Sequence, residues 1–340
     1  MQAIINKMFF GSWSKLDQPL LDGYTVLMPI PYDLPVLLEL SVRVIEYLKN
    51  DNLKEILVIP DYPTQEFRDC YRKIVKQKSG YRLLEMPQMQ RMIGKARNRP
   101  GVYHFLQIFN GVNQTRTKYC YLHDADAIVV MKDFVENQYH VCEENQYSVL
   151  GAELPRENQL RSDGGTVAAT WEMMAKTEWY RRFPPYLHKS HAGKWEGKMR
   201  GFDTTIHPQW LTDSKEIGLD CNKRNLSRGI VHVPYTVSTF RKFKGGNKPF
   251  EDKYSNLLFL RILIDVLDMS EFNHQIPSFE DLLKGIKMED ALVTYTTDIA
   301  RKWFYITQKR LNYLLTTNFF TSDENDLLQN YLERFEKELS

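Results

Sequence analysis

The stretch that decides the fold is Lys118–Asp126, which reads KYCYLHDAD. Its residues up to His123 form a mostly apolar, extended run, which predicts a buried strand. Two carboxylates, Asp124 and Asp126, follow with one residue between them. Alternate side chains of a strand or tight turn point the same way, so the two carboxylates can converge on one point. Such carboxylates suit Mg²⁺ or Mn²⁺. A solvated turn or a helix-capping aspartate is the alternative.

Before this stretch, the chain is predicted to alternate between strands and helices. Apolar runs predict strands at Tyr24–Ile30, Glu55–Pro60 and Tyr81–Leu84. Apolar residues at helical spacing predict the three intervening helices. The residues that define these helices are Leu34, Leu37, Leu38, Ile45 and Leu48, then Phe67, Cys70, Tyr71, Ile74 and Val75, then Val102, Phe105, Leu106 and Phe109. This alternation predicts a parallel sheet that is covered on both faces.

The acidic residues lie where such a sheet binds ligands. Ligands of parallel α/β sheets bind at the carboxyl ends of the strands. Asp61 follows the second predicted strand and Asp124 follows the fourth. This placement favours a functional role for Asp124 and Asp126 over a turn or a cap.

The second half of the chain has a looser pattern. Glycine and proline pairs interrupt it after Gly151, and it turns helical from Glu251. Thr321 and Glu324 match a capping box that opens the last helix. We therefore expect a lead-in at 1–20, a ligand-binding half at 21–150, a second half at 151–250 and a helical region at 251–340.

Composition excludes several classes of protein. The 340 residues carry 45 basic and 43 acidic side chains, a net charge of +2, which offers no global field for nucleic acid. The four cysteines match no zinc pattern and are expected to be free thiols. No apolar stretch reaches about 18 residues, so no membrane span is expected. The first ten residues have too short an apolar region for a signal peptide. We expect a cytoplasmic protein.

Four segments, in order, resemble the GT-A glycosyltransferases, especially the large family-two group. The first strand ends in a proline turn at Val26–Pro29, and the second ends in an acidic residue at Val58–Asp61. Ala96–Asn98 matches an A-R-N segment before the helix that precedes D-x-D, and Tyr119–Asp126 matches the strand that runs into D-x-D. The resemblance covers about residues 24 to 150.

The resemblance implies a fold and a donor site. The fold is an α/β, Rossmann-like mixed sheet of the GT-A type, with a helical C-terminal extension. The segment 21–150 would bind a nucleotide-sugar, and 151–250 an acceptor. Pro29, Asp61, Arg97 and Asp124 would line the donor site, with Asp61 on the nucleobase and Arg97 on base or phosphate. Asp124 and Asp126 would hold Mn²⁺ or Mg²⁺.

The resemblance is looser after residue 150. Gly164–Thr166 is similar to a glycine-rich acceptor loop, and Gly201–Asp203 to a G-F-D segment near the catalytic base. The usual second acidic residue is missing from this segment. Asp203 is therefore either the general base or a capping or turn residue.

Two further site residues follow. GT-A enzymes often use a late histidine as a metal ligand, and His232 lies on a predicted strand; a core histidine is the alternative, and His191 and His207 are weaker rivals. Lys244 lies in the basic stretch Thr239–Gly246. This stretch is expected to be a loop that closes over a diphosphate, or a solvated loop.

The resemblance implies a metal-dependent, inverting glycosyltransferase that moves a sugar from a UDP- or GDP-sugar to a glycan or other hydroxyl acceptor. The alternatives are a sugar nucleotidyltransferase, which normally has a glycine-rich loop that Met28–Asp33 lacks, and a non-catalytic binding module. Basic and aromatic residues between Arg301 and Arg310 suggest peripheral membrane contact, or packing against the catalytic domain.

Overall fold

The computed structural model describes residues 10–97, 100–195, 197–220, 229–247, 253–272, 274–288, 291–293 and 298–339. Its strands are β1 (Leu21–Ile30), β2 (Leu53–Pro60), β3 (Tyr81–Leu83), β4 (Thr117–Leu122), β5 (Ala127–Val129), β6 (Val149–Gly151), β7 (Met173–Lys176), β8 (His191–Trp195), β9 (Lys198–Phe202), β10 (Ile217–Leu219), β11 (Ile230–His232), β12 (Ile286–Met288) and β13 (Ala291–Val293). Its α-helices are α1 (Pro35–Tyr47), α2 (Gln65–Val75), α3 (Gln88–Arg97), α4 (Pro100–Gln114), α5 (Phe134–Asn145), α6 (Thr177–Arg182), α7 (Ile206–Trp210), α8 (Thr236–Lys244), α9 (Ser255–Val266), α10 (Phe279–Lys284), α11 (Asp298–Leu315) and α12 (Ser322–Leu339).

Seven strands form one mixed sheet, in the order β10-β6-β7-β4-β1-β2-β3. β1 pairs in parallel with β2 and with β4, and β2 pairs in parallel with β3. β7 is antiparallel to both of its neighbours, β4 and β6. The predicted α/β class with a mixed sheet is confirmed. The four strands predicted in the first half run parallel to one another, and β6 and β10 also pair in parallel.

The chain divides by its internal contacts into two compact units. The first contains Met1–Tyr32, Leu48–Ala125 and Lys132–Asn225. The second contains Asp33–Tyr47, Asp126–Met131 and Leu226–Ser340. The seven-stranded sheet belongs to the first unit, and the helical C-terminal region belongs to the second.

Helix α4 packs closely on the sheet of the first unit. Ile108 and Val112 of α4 join Leu27 and Ile59 of the strands in one buried cluster. A Cβ at Gly111 would lie 2.8 Å from Ile59 Cδ1 and 2.9 Å from Leu27 Cδ2. Glycine at this position therefore permits the close approach of α4 to β1 and β2.

Helix α9 is the centre of the second unit. Ten of its twelve residues are buried, and it contacts α1, α8, α10, α11 and α12. A helix that is apolar on nearly all sides belongs in the middle of a bundle. The rings of Phe304 on α11 and Phe335 on α12 lie with centroids 3.6 Å apart, which joins the last two helices.

The predicted capping box is confirmed, and one loop prediction is wrong. Thr321 N donates to Glu324 Oε2 at 2.9 Å, and Glu324 N donates to Thr321 Oγ1 at 3.3 Å. The stretch from Thr239 to Lys244 is not a loop but the greater part of α8. Thr236, Thr239 and Phe240 are buried at helical spacing, and this buried stripe favours a helix although basic residues follow at Arg241, Lys242 and Lys244.

The structure also contains one element that was not predicted, and it places three of the four cysteines. Strands β12 and β13 pair as a short antiparallel hairpin within the region predicted to be helical. Cys70, Cys120 and Cys142 are buried thiols outside disulfides, as predicted, and Cys221 lies outside the described residues.

Candidate metal and donor site

Buried polar groups hold the carboxyl ends of β1 and β2 together. Asp61 is 4% exposed, its backbone N–H donates to Ile30 O at 3.2 Å, and its Oδ1 accepts from Tyr32 N at 3.0 Å. Gln107 of α4 donates to Ile30 O at 3.2 Å and to Ile59 O at 2.6 Å. These bonds satisfy backbone groups where the parallel ladder ends. Asp61 therefore lies at the carboxyl ends of the parallel strands, as the sequence predicted.

Asp126 and His232 meet because β5 and β11 pair. Ala127 is opposite His232 in this antiparallel pair, so the residue before Ala127 lies beside the imidazole. His232 Nε2 is 3.3 Å from Asp126 Oδ1, and both side chains are about one-tenth exposed or less. Two further hydrogen bonds hold Asp126. Val233 N donates to its backbone carbonyl, and Thr236 N donates to its Oδ2 at 3.3 Å.

Gly229 sets the start of β11. Its φ is +67°, and a Cβ there would lie 2.8 Å from Met131 Cβ and 2.9 Å from Met131 N. Its carbonyl accepts from Val130 N at 2.7 Å. Only glycine combines this backbone conformation with so close a neighbour, so Gly229 allows His232 its register against Ala127.

Asp124 completes a group of three candidate ligands. Ala125 alone separates it from Asp126, and one ligand atom of each of Asp124, Asp126 and His232 lies within 4.8 Å of the others. Donor atoms that lie this close together could serve as ligands of one divalent ion. Two carboxylates and an imidazole suit Mn²⁺ and related divalent ions. The rivals His191 and His207 are not in this group; instead both rings pack against Phe202.

Glu172 was not predicted from the sequence. It is fully buried, its Oε1 accepts from Asp124 N at 3.0 Å and from His123 Nδ1 at 2.8 Å, and its Oε2 accepts from the Tyr121 hydroxyl. Burial, and then the Glu172 charge, raise the pKa of Tyr121 well above its ordinary value, so the phenol stays protonated and donates. A lone acidic residue in the apolar run Ala168–Ala175 was the only available signal.

Asp33 was also missed, and it binds the basic end of α8. Arg241 Nη2 donates to Asp33 Oδ1 at 2.8 Å, and Lys244 Nζ lies 4.0 Å from Asp33 Oδ2. The Asp33 side chain is only 6% exposed. Lys244 is thus tied to a carboxylate at the end of a helix rather than placed on an open loop.

The remaining predicted residues lie as follows. Pro29 is buried in β1, opposite Ile59 of β2. Arg97 ends α3, and the next residue of the A-R-N segment, Asn98, lies outside the described residues. Asp203 is exposed after β9, and its Oδ1 accepts from Thr204 N at 2.8 Å.

The predicted acceptor loop is a tight turn. Gly164 has a φ of +74°, and the next amide, Gly165 N, donates to Asp163 Oδ1 at 2.9 Å. Arg161 binds the same carboxylate through two hydrogen bonds and lowers the pKa of Asp163 to about 2. The turn is therefore ordered by its own side chains.

Within the part of the chain that the structure describes, none of the helices combines the length and the apolar character that a membrane crossing needs.

A scan against protein-family models finds no match, and a search of curated proteins finds none either. Among solved structures, the chain is similar to S. aureus TarS 1–349 at 9% identity and a TM-score of 0.38, over 93% of this chain and 89% of that one. It is similar to the mannosyltransferase PcManGT from Pyrobaculum calidifontis, in complex with GDP-Man and Mn²⁺, at 12% identity and a TM-score of 0.41, over 96% and 78% of the two chains. It is similar to glucosyl-3-phosphoglycerate synthase from Mycobacterium tuberculosis at 14% identity and a TM-score of 0.39, over 64% and 80%. These similar structures are GT-A glycosyltransferases, in line with the sequence resemblance. At TM-scores of 0.38–0.41 they carry no argument about the activity of this chain.

Proposed function

We propose that this protein is a metal-dependent glycosyltransferase that moves a sugar from a nucleoside-diphosphate donor to an acceptor hydroxyl. The observation that carries the proposal is the convergence of Asp124, Asp126 and His232 after a central strand of a mixed α/β sheet. Carboxylate and imidazole donors at the carboxyl end of such a strand are suited to hold a metal–diphosphate complex.

The three ligands would hold Mn²⁺ or Mg²⁺ against the donor. A bound ion would supply positive charge that offsets the negative charge developing as the nucleoside diphosphate leaves. Asp126 and His232 are preorganised for this role, because β5–β11 pairing and the Thr236 amide hold them in place before any ligand arrives.

The donor's nucleoside would lie near the ends of β1 and β2. We assign Asp61 to the nucleobase and Arg97 to base or phosphate, with Pro29 shaping the floor of the site. Lys244 would bind the diphosphate after leaving Asp33, which holds it at 4.0 Å. A cation that exchanges one anionic partner for another can close over a ligand and exclude water.

The acceptor hydroxyl would be deprotonated by Asp203. Its oxygen forms a bond to the anomeric carbon as the bond from that carbon to the phosphate oxygen breaks, and the proton passes to the Asp203 carboxylate. Attack opposite the leaving group inverts the anomeric centre. Asp203 is exposed to solvent, as a base that meets an incoming acceptor must be.

Product analysis tests the proposal. Purified protein is incubated with Mn²⁺ and a panel of UDP- and GDP-sugars, and released nucleoside diphosphate and pyrophosphate are measured separately. Release of nucleoside diphosphate by the wild type and by Asp133→Asn, with loss of at least about 100-fold in Asp126→Asn, is the expected result. Asp133 is a suitable control because its ion pair with Lys49 is half-exposed.

The same assay distinguishes the other candidate functions. Formation or consumption of pyrophosphate would assign the site to a sugar nucleotidyltransferase. Tight binding of a nucleotide-sugar without turnover, with every acceptor class tried, would leave a non-catalytic binding module. Either result would overturn glycosyl transfer.

We also propose peripheral contact with an anionic membrane through α11. Ile299, Tyr305 and Ile306 are 54%, 49% and 40% exposed, and they share a helix face with the exposed Lys302 and Lys309. Asp298 is the only acidic residue of α11. Apolar and basic side chains on one helix face suit the interface of an anionic bilayer. Co-sedimentation with vesicles containing phosphatidylglycerol, but not with pure phosphatidylcholine vesicles, is expected; no binding to either rejects the contact.

A further inference from the structure

Glu172 combines three properties that are rarely found together. It is 0% exposed, it carries a carboxylate, and its φ is +45°, in the left-handed region that non-glycine residues seldom adopt. Burying a carboxylate and holding such a backbone conformation both oppose folding. The surrounding structure must therefore stabilise Glu172, and the donors around it show how.

The donors to Glu172 come from one short segment. Tyr121, His123 and Asp124 supply its side-chain hydrogen bonds: the phenol, the ring Nδ1 at 2.8 Å and the backbone N–H at 3.0 Å. Gln138 Nε2 donates to the Glu172 carbonyl at 3.3 Å. A carboxylate only accepts, so Nδ1 of His123 carries its proton in this arrangement.

The contacts follow from the position of Glu172 at the start of β7. The next residue, Met173, pairs with Leu122 at the carboxyl end of β4. Glu172 thus stands beside the point where β4 ends and the D-x-D turn begins. The strand β4 ends at Leu122, so the backbone N–H of Asp124 lies beyond the β4 ladder. It donates to the Glu172 carboxylate instead.

We propose that Glu172 is a positioning residue that fixes the D-x-D turn so that Asp124 faces the metal. This inference rests on the proposed metal site. Without the carboxylate, the Asp124 amide and the His123 ring lose their shared acceptor, and the turn can rotate about the bonds that precede Asp124. Bringing the three ligand atoms together would then cost free energy, and the affinity for the metal would fall.

Glu136 offers a matched control in the same compact unit. It is 5% exposed, and it accepts from the Tyr24 hydroxyl at 2.8 Å and from Asn52 N at 3.0 Å. Like Glu172, it is a buried carboxylate bound by a phenol and a backbone amide. It contacts none of the three candidate ligands in these bonds, so Glu136→Gln reports the general cost of altering such a group.

The experiment measures the Mn²⁺ dissociation constant by electron paramagnetic resonance, together with the urea midpoint, in wild type, Glu172→Gln and Glu136→Gln. We expect both variants to lose stability, and only Glu172→Gln to weaken Mn²⁺ binding by about 10-fold or more, as losses of outer partners of metal ligands do. Equal Mn²⁺ affinity in the two variants, within about twofold of the wild type, would show a purely structural role and overturn the inference.

Two further outcomes are informative. If wild type itself binds no Mn²⁺, the proposed metal site fails and the inference fails with it, whereas binding by wild type separates the two questions. If Glu172→Gln does not fold, Tyr121→Phe decides, because it keeps the carboxylate and removes one donor that orients it. Mn²⁺ binding weakened in Tyr121→Phe supports positioning, and unchanged affinity overturns it.

Discussion

Asp126 makes contacts through its carbonyl and both carboxylate oxygens. Val233 N donates to the carbonyl at 3.0 Å, Thr236 N donates to Oδ2 at 3.3 Å, and His232 lies 3.3 Å from Oδ1. The Thr236 amide opens α8, so a negative charge there also faces the positive end of a helix dipole. A carboxylate placed in this way is held in position but still has lone pairs to offer a cation.

At Asp203 we predict a loss of rate without a loss of donor binding. Asp203→Ala should lower kcat by about 10²–10⁴-fold, because general-base help is typically worth that much. Asp213→Ala is the control, since Asp213 also accepts from a nearby backbone amide, that of Lys215, at 3.0 Å. Single-turnover rates and donor dissociation constants separate the two effects. A wild-type rate in Asp203→Ala rejects the base.

At His188 we predict a dependence of stability on pH. Burial lowers the pKa of His188 to about 3, and its Nε2 donates to Tyr180 O at 3.0 Å. Below pH 6.5, the ordinary pKa of histidine, His188 therefore binds a proton in the unfolded chain but not in the folded chain. The free energy of unfolding should be highest above that pH and should decrease as the pH falls towards 3.

The measurement for His188 is urea unfolding between pH 7 and 5, where the carboxylates stay largely ionised. The slope attributable to this histidine should approach about 1.4 kcal/mol per pH unit near the lower limit. His188→Gln can still donate to Tyr180 O but does not titrate, so its slope should be smaller. Equal slopes in the two proteins would contradict a neutral, buried His188.

The capping box of α12 shows how one element is stabilised locally. Thr321→Ala should lower stability by about 1 kcal/mol, because it removes the acceptor for the Glu324 amide. Thr321→Ser keeps that oxygen and should stay near wild type. Urea midpoints compare the three proteins. Equal losses in the alanine and serine variants would show that the methyl group, not the cap, matters.

Gly229, which precedes β11, affects the position of His232 in the candidate metal site. Gly229→Ala should weaken Mn²⁺ binding, because its Cβ would press on Met131 and shift the strand that carries His232. Gly80→Ala is the control: Gly80 has a similar φ of +84°, but nothing lies within 4 Å of its added Cβ. Isothermal titration with Mn²⁺ checks both. Unchanged affinity in Gly229→Ala would contradict this role.

Regular elements could be predicted where local signals are strong. The strand Tyr24–Ile30 and the D-x-D turn after β4 are each encoded within a few residues. The stretch Thr239–Gly246 was predicted to be a loop because of its basic residues and its two glycines, although Thr236, Thr239 and Phe240 are buried at helical spacing. Spacing of apolar residues was the better guide.

Long-range partners could not be predicted. Glu172 lies 48 residues from Asp124 in the chain, and Asp33 lies 208 residues from Arg241. No periodicity connects such positions, because the contacts arise only when the sheet and the helices are assembled. His232 was predicted as a ligand from a resemblance, whereas its approach to Asp126 depends on the β5–β11 register.

For the whole molecule, we expect one bound complex of metal and nucleotide to stabilise the folded chain. The net charge of +2 gives no general attraction for anions, so binding must come from the site. A ligand at 100 times its dissociation constant adds about 2.7 kcal/mol to the free energy of unfolding.

The most direct measurement is the melting temperature of wild type and Asp126→Ala with a panel of nucleoside diphosphates and nucleotide-sugars, with and without Mn²⁺. We predict that one nucleotide raises the melting temperature of wild type only when Mn²⁺ is present, and that Asp126→Ala shows no such shift. An equal shift in Asp126→Ala, or no shift of wild type with any nucleotide and Mn²⁺, would contradict a metal-dependent donor site at Asp124, Asp126 and His232.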